Sequence, residues 1–381
     1  MPWRECTVMS LRSEFVRLAT QEGANISALC RRFDISRKTA YKWLKRYQQE
    51  GLDGLKDRSR RPRSSPRRTS PSVEAAVLEA RQAHPAWGGR KIQSWLLARG
   101  QVVPASPNTV TAILRRHGLI DPEEARKHRP FERFEAAEPN ELWQMDFKGY
   151  FPLGEGGYCH PLTLIDDHSR YLLGLWACPD ETQATVRARL IQVFREYGLP
   201  QRILVDNGPP WGDGADNPYT LLTVWLIRLG IRVTHSSAYH PQTLGKDERL
   251  HRTLQEEVLE RHACSTLEDW QGIFTPWRDI YNYERPHEAL GMQTPASRYR
   301  PSPRPYPEVL PPIVYEPSDI VRKVDVSGRI SFQNRVFRVG KAFRHQPVCV
   351  RPTDRDGEYA VFFCQQQIGR IDLRCEESRH V

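Results

Sequence analysis

The chain of 381 residues is 39% hydrophobic and 27% charged, enough apolar material for two or three packed domains and too much for a disordered polymer. Its longest apolar run, Tyr171 to Cys178, falls far short of the ~18 residues a membrane span needs, and residues 1–15 carry no apolar secretory stretch. A cytoplasmic protein is expected. The net charge of +10 sits at the front, where residues 1–70 hold 17 Lys+Arg against 7 Asp+Glu and the rest of the chain balances; an anionic polymer, nucleic acid before membrane, is the partner this suggests.

In chain order, Leu11, Phe15, Leu18 and Ala19 share one helical face. Ile26, Leu29, Cys30 and Phe33 repeat the period after Asn25, and Ala40, Trp43, Leu44 and Tyr47 do so after Ser36; both preceding residues suit an N-cap. Three short helices with a tight turn at Asp34-Ile35 make a helix-turn-helix over residues 1–55. Its last helix would present Arg37, Lys38, Thr39, Tyr41 and Lys42 to DNA. Residues 56–71 form a basic linker with Arg58, Arg60, Arg61, Arg63, Arg67 and Arg68 among Pro and Ser. It cannot fold alone and suits a phosphate-following arm. A second helix-turn-helix-like unit is expected over 72–120, with Ser106-Pro107 as a helix start, followed by a linker over 121–138.

From residue 139 the pattern changes to strands alternating with helices. Strands are predicted at 142–147, 158–165 and 171–178, a helix at 182–197, a strand at 202–205, a helix at 219–229, a strand at 231–234 and a long helix at 246–262. This order suggests a mixed sheet covered by helices. Asp146 lies within a strand, Asp206 directly follows Ile203-Leu204-Val205, and Glu248 sits in the first turn of the long helix, off its apolar stripe of Leu250, Leu254 and Val258. Asp247 is angularly closer to that stripe and makes the weaker candidate. Carboxylates gathered at ~4 Å repel by roughly 4 kcal/mol per pair, so such a cluster persists protonated or around a cation, and all-oxygen ligands favour Mg2+ or Mn2+. Periodicity alone does not bring the three together.

Trp143-Gln144-Met145-Asp146-Phe147-Lys148-Gly149, Leu164-Ile165-Asp166-Asp167-His168-Ser169-Arg170, Val205-Asp206-Asn207-Gly208, the stretch His240 to Arg249 (HPQTLGKDER) and Tyr281 to Gly291 (YNYERPHEALG) follow one another along the chain. With Trp87-Gly88-Gly89-Arg90-Lys91-Ile92 and the front helix-turn-helix, this series resembles bacterial insertion-sequence transposases of the DDE group, which have a retroviral-integrase-type core. The resemblance implies an RNase H-like core over 139–300, with Asp146, Asp206 and Glu248 holding two Mg2+ or Mn2+ ions. It also implies cleavage at transposon ends followed by strand transfer into target DNA in a nucleoid-associated bacterial protein. The chain departs from the group at Leu244, where Asn is usual, and in the longer path at 209–219. It also lacks the His-His-Cys-Cys cluster of retroviral integrases, so structural zinc is not expected.

Other residues take secondary parts. Asp166 and Asp167 suit a tight turn between strands, Lys246, Arg249 and Arg252 suit phosphates beside the cut, and His240 lies in a polar loop. Arg285-Pro286-His287 would begin a segment closing on the core. The eight prolines from Pro295 to Pro317 suggest a semi-rigid linker over 301–318. Strands at 320–326, 329–339, 346–352, 359–365 and 368–373 suggest a small SH3-like barrel over 319–381. The expected fold class is thus multidomain α/β: N-terminal helix-turn-helix units, an RNase H-like mixed-sheet core and a C-terminal small β-barrel. Double-stranded DNA, as transposon ends and target, is the expected partner. Joining two ends to one target calls for a dimer or higher multimer. The alternatives are a catalytically silent DNA-binding regulator derived from a mobile element and a nuclease that cuts without joining.

Overall fold

The computed structural model describes residues 7–59, 69–104, 106–120, 135–212, 214, 218–236 and 245–374. It divides into two compact units, 1–68 and 69–381.

The first unit holds α1 (Val8–Ala19), α2 (Ile26–Arg32) and α3 (Arg37–Glu50). Each helix starts where a side-chain oxygen takes a free backbone N–H: Thr7 accepts from Ser10 N, Asn25 from Ala28 N and Ser36 from Thr39 N. Phe15, Val16, Cys30, Ala40, Trp43 and Leu55 form its core, whereas Leu11, expected on the inner face, is 41% exposed. The turn between α2 and α3 passes through Asp34 at φ 49°.

The second unit begins with α4 (Pro71–Ala83), α5 (Gly89–Ala98) and α6 (Pro107–Arg116), the last capped by Ser106 with Pro107 in its first turn. A β-carbon at Gly89 would stand 2.3 Å from Thr111 Oγ1 and 2.8 Å from the Pro107 carbonyl oxygen; only glycine allows α5 and α6 to approach this closely.

The central sheet contains β1 (Leu142–Phe147), β2 (Phe151–Pro152), β3 (Tyr158–Asp166), β4 (Leu172–Cys178), β5 (Arg202–Val205) and β6 (Arg232–His235), ordered β2-β3-β1-β5-β6 with β4 also on β3. β1, β2, β3 and β4 pair antiparallel, while β5 runs parallel to both β1 and β6. The sheet is therefore mixed, as the strand order suggested. α7 (Gln183–Tyr197), α8 (Leu221–Arg228), α9 (Gly245–Leu254) and α10 (Leu267–Asp279) accompany it. The helix expected to reach residue 262 ends its α-helical part at Leu254 and passes into a single π turn, Gln255–Leu259.

α10 was not anticipated from the sequence. It covers the open edge of β4, where Gln271 bonds Ala177 N and Leu175 O and Asn282, in the π turn after α10, bonds both backbone groups of Leu172. At the opposite edge Gln366 does the same for Val233. Amide side chains thus stand in for missing neighbouring strands at both edges.

The proline-rich stretch is not a free spacer. Tyr299 stacks on Tyr171 at 4.3 Å, Ser302 N donates to Tyr197 O, and the Arg304 guanidinium donates to the carbonyls of Pro200, Leu229 and Gly230. It is a strap bonded to the elements around the central sheet.

Beyond it lie β7 (Ile320–Lys323), β8 (Arg329–Phe332), β9 (Arg335–Arg338), β10 (Pro347–Pro352), β11 (Glu358–Phe363) and β12 (Gln366–Asp372). The single strand expected at 329–339 is a hairpin, turning through Gln333 and Asn334 at φ 46° and 60°. The ladders form an open sheet, β12-β11-β10-β7, and a separate ribbon, β8-β9; among the described residues they do not close into a barrel. Val348, Val350, Val361 and Phe363 share one apolar core with Trp225, Val233 and the central sheet.

Candidate active site

The central sheet carries the first acid on β1 and leads directly into the second just past β5. β1 pairs in parallel with β5 as Leu142↔Arg202, Trp143↔Ile203 and Gln144↔Leu204, and extending that register sets Asp146 level with Asp206. Burial first, and the Asp206 charge second, push the Asp146 carboxyl up to about 7. Asp206 is also raised, mainly by burial, and its Oδ1 is buried without a hydrogen-bond partner. Two adjacent carboxylates in low dielectric, one with an orphaned oxygen, favour a proton or a cation over remaining bare.

Glu248 behaves differently. It lines the same shallow cleft of about 560 Å3 as Asp146, Lys148, His251 and Arg252, but its side chain is 73% exposed and pairs with Arg252 at 3.3 Å. Among the described residues, no group of three or more His, Cys, Asp or Glu stands close enough to hold a metal ion. The structure brings Asp146 and Asp206 together and leaves Glu248 at the rim.

Asp247 takes the inner position on α9. It is fully buried, with neither carboxyl oxygen hydrogen-bonded, and burial followed by Asp146 and Asp167 holds its pKa well above the ordinary range. His251, one turn on, escaped the sequence reading, whereas Asp247 lies on the stripe side where its angle placed it. Thr163 Oγ1 donates its proton to Asp146 O, so the 2.8 Å contact between Thr163 Oγ1 and His251 Nε2 requires the imidazole to donate through Nε2. Nδ1 then faces Asp146 Oδ2 at 3.9 Å, and burial draws the imidazole down to about 4. The recurrence of Asp247, Leu250, His251 and Leu254 on one helical face is the signal that could have found His251.

Asp166 holds the expected turn, accepting from Ser169 N and Oγ and from Asn140 N. Asp167 does more. Its buried carboxylate accepts from Ala136 N at 2.7 Å and Gln144 Nε2 at 2.6 Å and pairs with Lys246, so one side chain ties β1 to α9. Lys246 is consequently misplaced as a phosphate contact: its side chain is 14% exposed, and it also donates to Asp167 O at 3.1 Å. Burial pulls its ammonium down to about 8. Arg249 and Arg252 are exposed.

On α3, Arg37, Lys38, Tyr41 and Lys42 face solvent, while Thr39 bonds back to Ser36 as part of the cap. Arg58 pairs with Glu50. Arg60, Arg61, Arg63, Arg67 and Arg68, like His240 and Leu244, lie outside the described residues.

Comparison with known proteins follows the same modules. Residues 12–63 match a helix-turn-helix domain, 39–114 a homeodomain-like domain, 136–241 and 229–295 integrase core domains, and 319–379 the C-terminal domain of IS481 family transposases. An uncharacterized 31.7 kDa protein of insertion element IS407 from Burkholderia multivorans is 27% identical over 42% of this chain and 54% of its own length. A 39.2 kDa protein of insertion element IS476 from Xanthomonas euvesicatoria is 24% identical over 64% of this chain and 69% of its own length. The match therefore spans about half of the IS407 relative, and only 8% of the Gag-Pol polyprotein of feline leukemia virus, 28% identical over 38% of this chain. Among solved structures, the simian T-cell lymphotropic virus intasome with PP2A regulatory subunit B56 gamma covers 77% of this chain and 96% of its own at 15% identity and TM-score 0.38. Helix-turn-helix, integrase-core and IS481-type transposase C-terminal modules thus match in this order along the chain, which is similar to proteins of bacterial insertion elements.

Proposed function

We propose that this chain is a DDE transposase that binds the terminal repeats of a mobile element and catalyses DNA strand cleavage and strand transfer. The observation that carries the reading is the neighbouring pair Asp146 and Asp206, half-buried, raised in pKa and, at Asp206 Oδ1, left with a buried unpartnered oxygen. That donor set fits a hard divalent cation. Asp146, Asp206 and Glu248 are the residues that would hold Mg2+ or Mn2+, two ions per site, with Glu248 turning away from Arg252. Bound there, such ions would activate the attacking oxygen and stabilise the departing one in an in-line displacement at phosphorus.

The protein's own groups do the rest. Exposed Arg249 and Arg252 lie where a DNA backbone would follow α9, and Arg37, Lys38, Tyr41 and Lys42 read the terminal repeat from α3. Arg58 with the arginines at 60, 61, 63, 67 and 68 adds phosphate contacts. The C-terminal strands have the lengths of an SH3-like barrel and serve DNA or subunit contact in a dimer or higher multimer.

Asp146→Asn tests the reading: purified end DNA should stay uncut in Mg2+, and calorimetry with Mn2+ should show lost ion binding. A variant that still cuts refutes the assignment. The outward Glu248 and the want of a three-ligand group among the described residues favour a second reading, a catalytically silent DNA-binding regulator. That reading holds if the wild-type chain binds terminal repeats without cutting them in either metal.

A further inference from the structure

After Asp146 the chain leaves β1 through Phe147-Lys148-Gly149-Tyr150 and enters the β2–β3 hairpin. Lys148 N donates to Pro161 O at 2.9 Å, which fixes this corner. Tyr150 and Tyr158 stand on either side of the hairpin, 67% and 52% exposed. Their ring centroids are 5.2 Å apart, edge to face, and the His160 ring lies 5.4 Å from Tyr150. Neither phenol hydrogen-bonds within the described residues, and the Lys148 ammonium makes no ion pair there. His160 is bonded to Glu181 at 2.8 Å, and the Glu181 charge acts on both Asp146 and Asp206. The carboxylate that holds the His160 ring thus also lies within electrostatic reach of the acid pair.

Asp146 lies opposite Thr163 on β3, so the strand rise places Tyr158 roughly 17 Å further along. That is on the order of five stacked nucleotides from a phosphate held at the acids. An unpaired cation followed by open aromatic faces is the arrangement that tracks single-stranded nucleic acid, with the backbone on the lysine and a base on the ring. A paired base within a duplex keeps both faces covered by its neighbours, and the terminal pair offers only its outer face, whereas an unpaired base can swing out and lay a face on a ring.

We propose that Tyr150 and Tyr158, with Lys148, form a stacking site for an unpaired nucleobase of the DNA strand held beside Asp146 and Asp206. The proposal rests on the reading of this cleft as a DNA site, and it adds single-stranded character to the bound end.

The test uses the full chain in EDTA, with two DNA probes: a blunt duplex and the same duplex bearing a single-stranded overhang that contains 2-aminopurine. Wild type should quench the overhang probe and bind it more tightly than the blunt one. Tyr150→Ala with Tyr158→Ala should lose the quench and weaken overhang binding about 10-fold, leaving blunt-duplex affinity within about 2-fold. Tyr150→Phe with Tyr158→Phe should keep quench and affinity, since stacking needs the ring and not the hydroxyl. The proposal is overturned if the alanine variant still quenches, if both probes weaken equally, or if the phenylalanine variant behaves as alanine. It is likewise overturned if sedimentation without DNA shows the tyrosines holding two copies of the chain together. Because the readout is binding without metal, it stands or falls separately from cleavage by Asp146→Asn.

Discussion

The strands that carry Asp146 and Asp206 and the helix that carries Glu248 solve the same placement problem in different ways. On the sheet, the β1–β5 ladder runs to Gln144↔Leu204, and continuing its register two residues sets the α-carbons of both acids level. On α9, the helix presents a face, Asp247 takes the inward place, and Glu248 is held outward by an exposed neighbour. A ladder sets position at the backbone, whereas a helix leaves the last few ångströms to rotamers and to whatever anchors its first turn. Here that anchor is the Asp167–Lys246 pair.

Breaking the sheet half of this comparison should have the largest effect. Asp206→Asn, like Asp146→Asn, is expected to lower cleavage of end DNA at least about 1000-fold in a gel assay, with repeat affinity nearly unchanged because phosphate contacts dominate binding. Breaking the anchor comes next. Asp167→Ala removes the carboxylate that the poorly exposed Lys246 and two further donors share, and should cost about 3–5 kcal/mol in denaturant unfolding. Adding Lys246→Met should recover part of that loss; no recovery would mean the pair is not coupled.

A smaller effect concerns Lys91 on α5, whose ammonium is drawn down to about 8 by burial and then by Arg285. Between pH 8 and the ordinary lysine value of about 10.4 the unfolded chain binds more protons than the folded one. Stability should therefore rise with pH across that window, by about 2 kcal/mol. Lys91→Met should flatten the rise; a slope unchanged in the variant would assign it to other groups. The smallest effect is expected at the rim. Arg252→Gln removes an exposed i,i+4 pair and should shift unfolding by no more than about 0.5 kcal/mol, yet it should tighten Mn2+ binding by releasing Glu248.

Much of this was legible in the residues. Asn25, Ser36 and Ser106 cap the helices they were expected to start, and the strands bearing Asp146 and Asp206 follow from short apolar runs. α10 escaped because Pro276 interrupts its pattern, although the preceding turns carry enough contacts to hold the helix through it. The strap was read as a spacer because proline content constrains backbone shape but not what the backbone lies against; one arginine, Arg304, reaching three carbonyls, decides that. Asp167 was taken for a turn residue because its partners, Ala136, Gln144 and Lys246, are distant in sequence.

The strap has a mechanical corollary. With Arg304 pinned and Val348, Val361 and Phe363 sharing a core with the central strands, the C-terminal sheet is fastened to the central one rather than hung on a loose arm. If the proposed DNA contact of that sheet holds, a bound duplex would be measured off from Asp146 at a constant spacing, and misfit in site length would be absorbed by bending or twisting of the DNA itself.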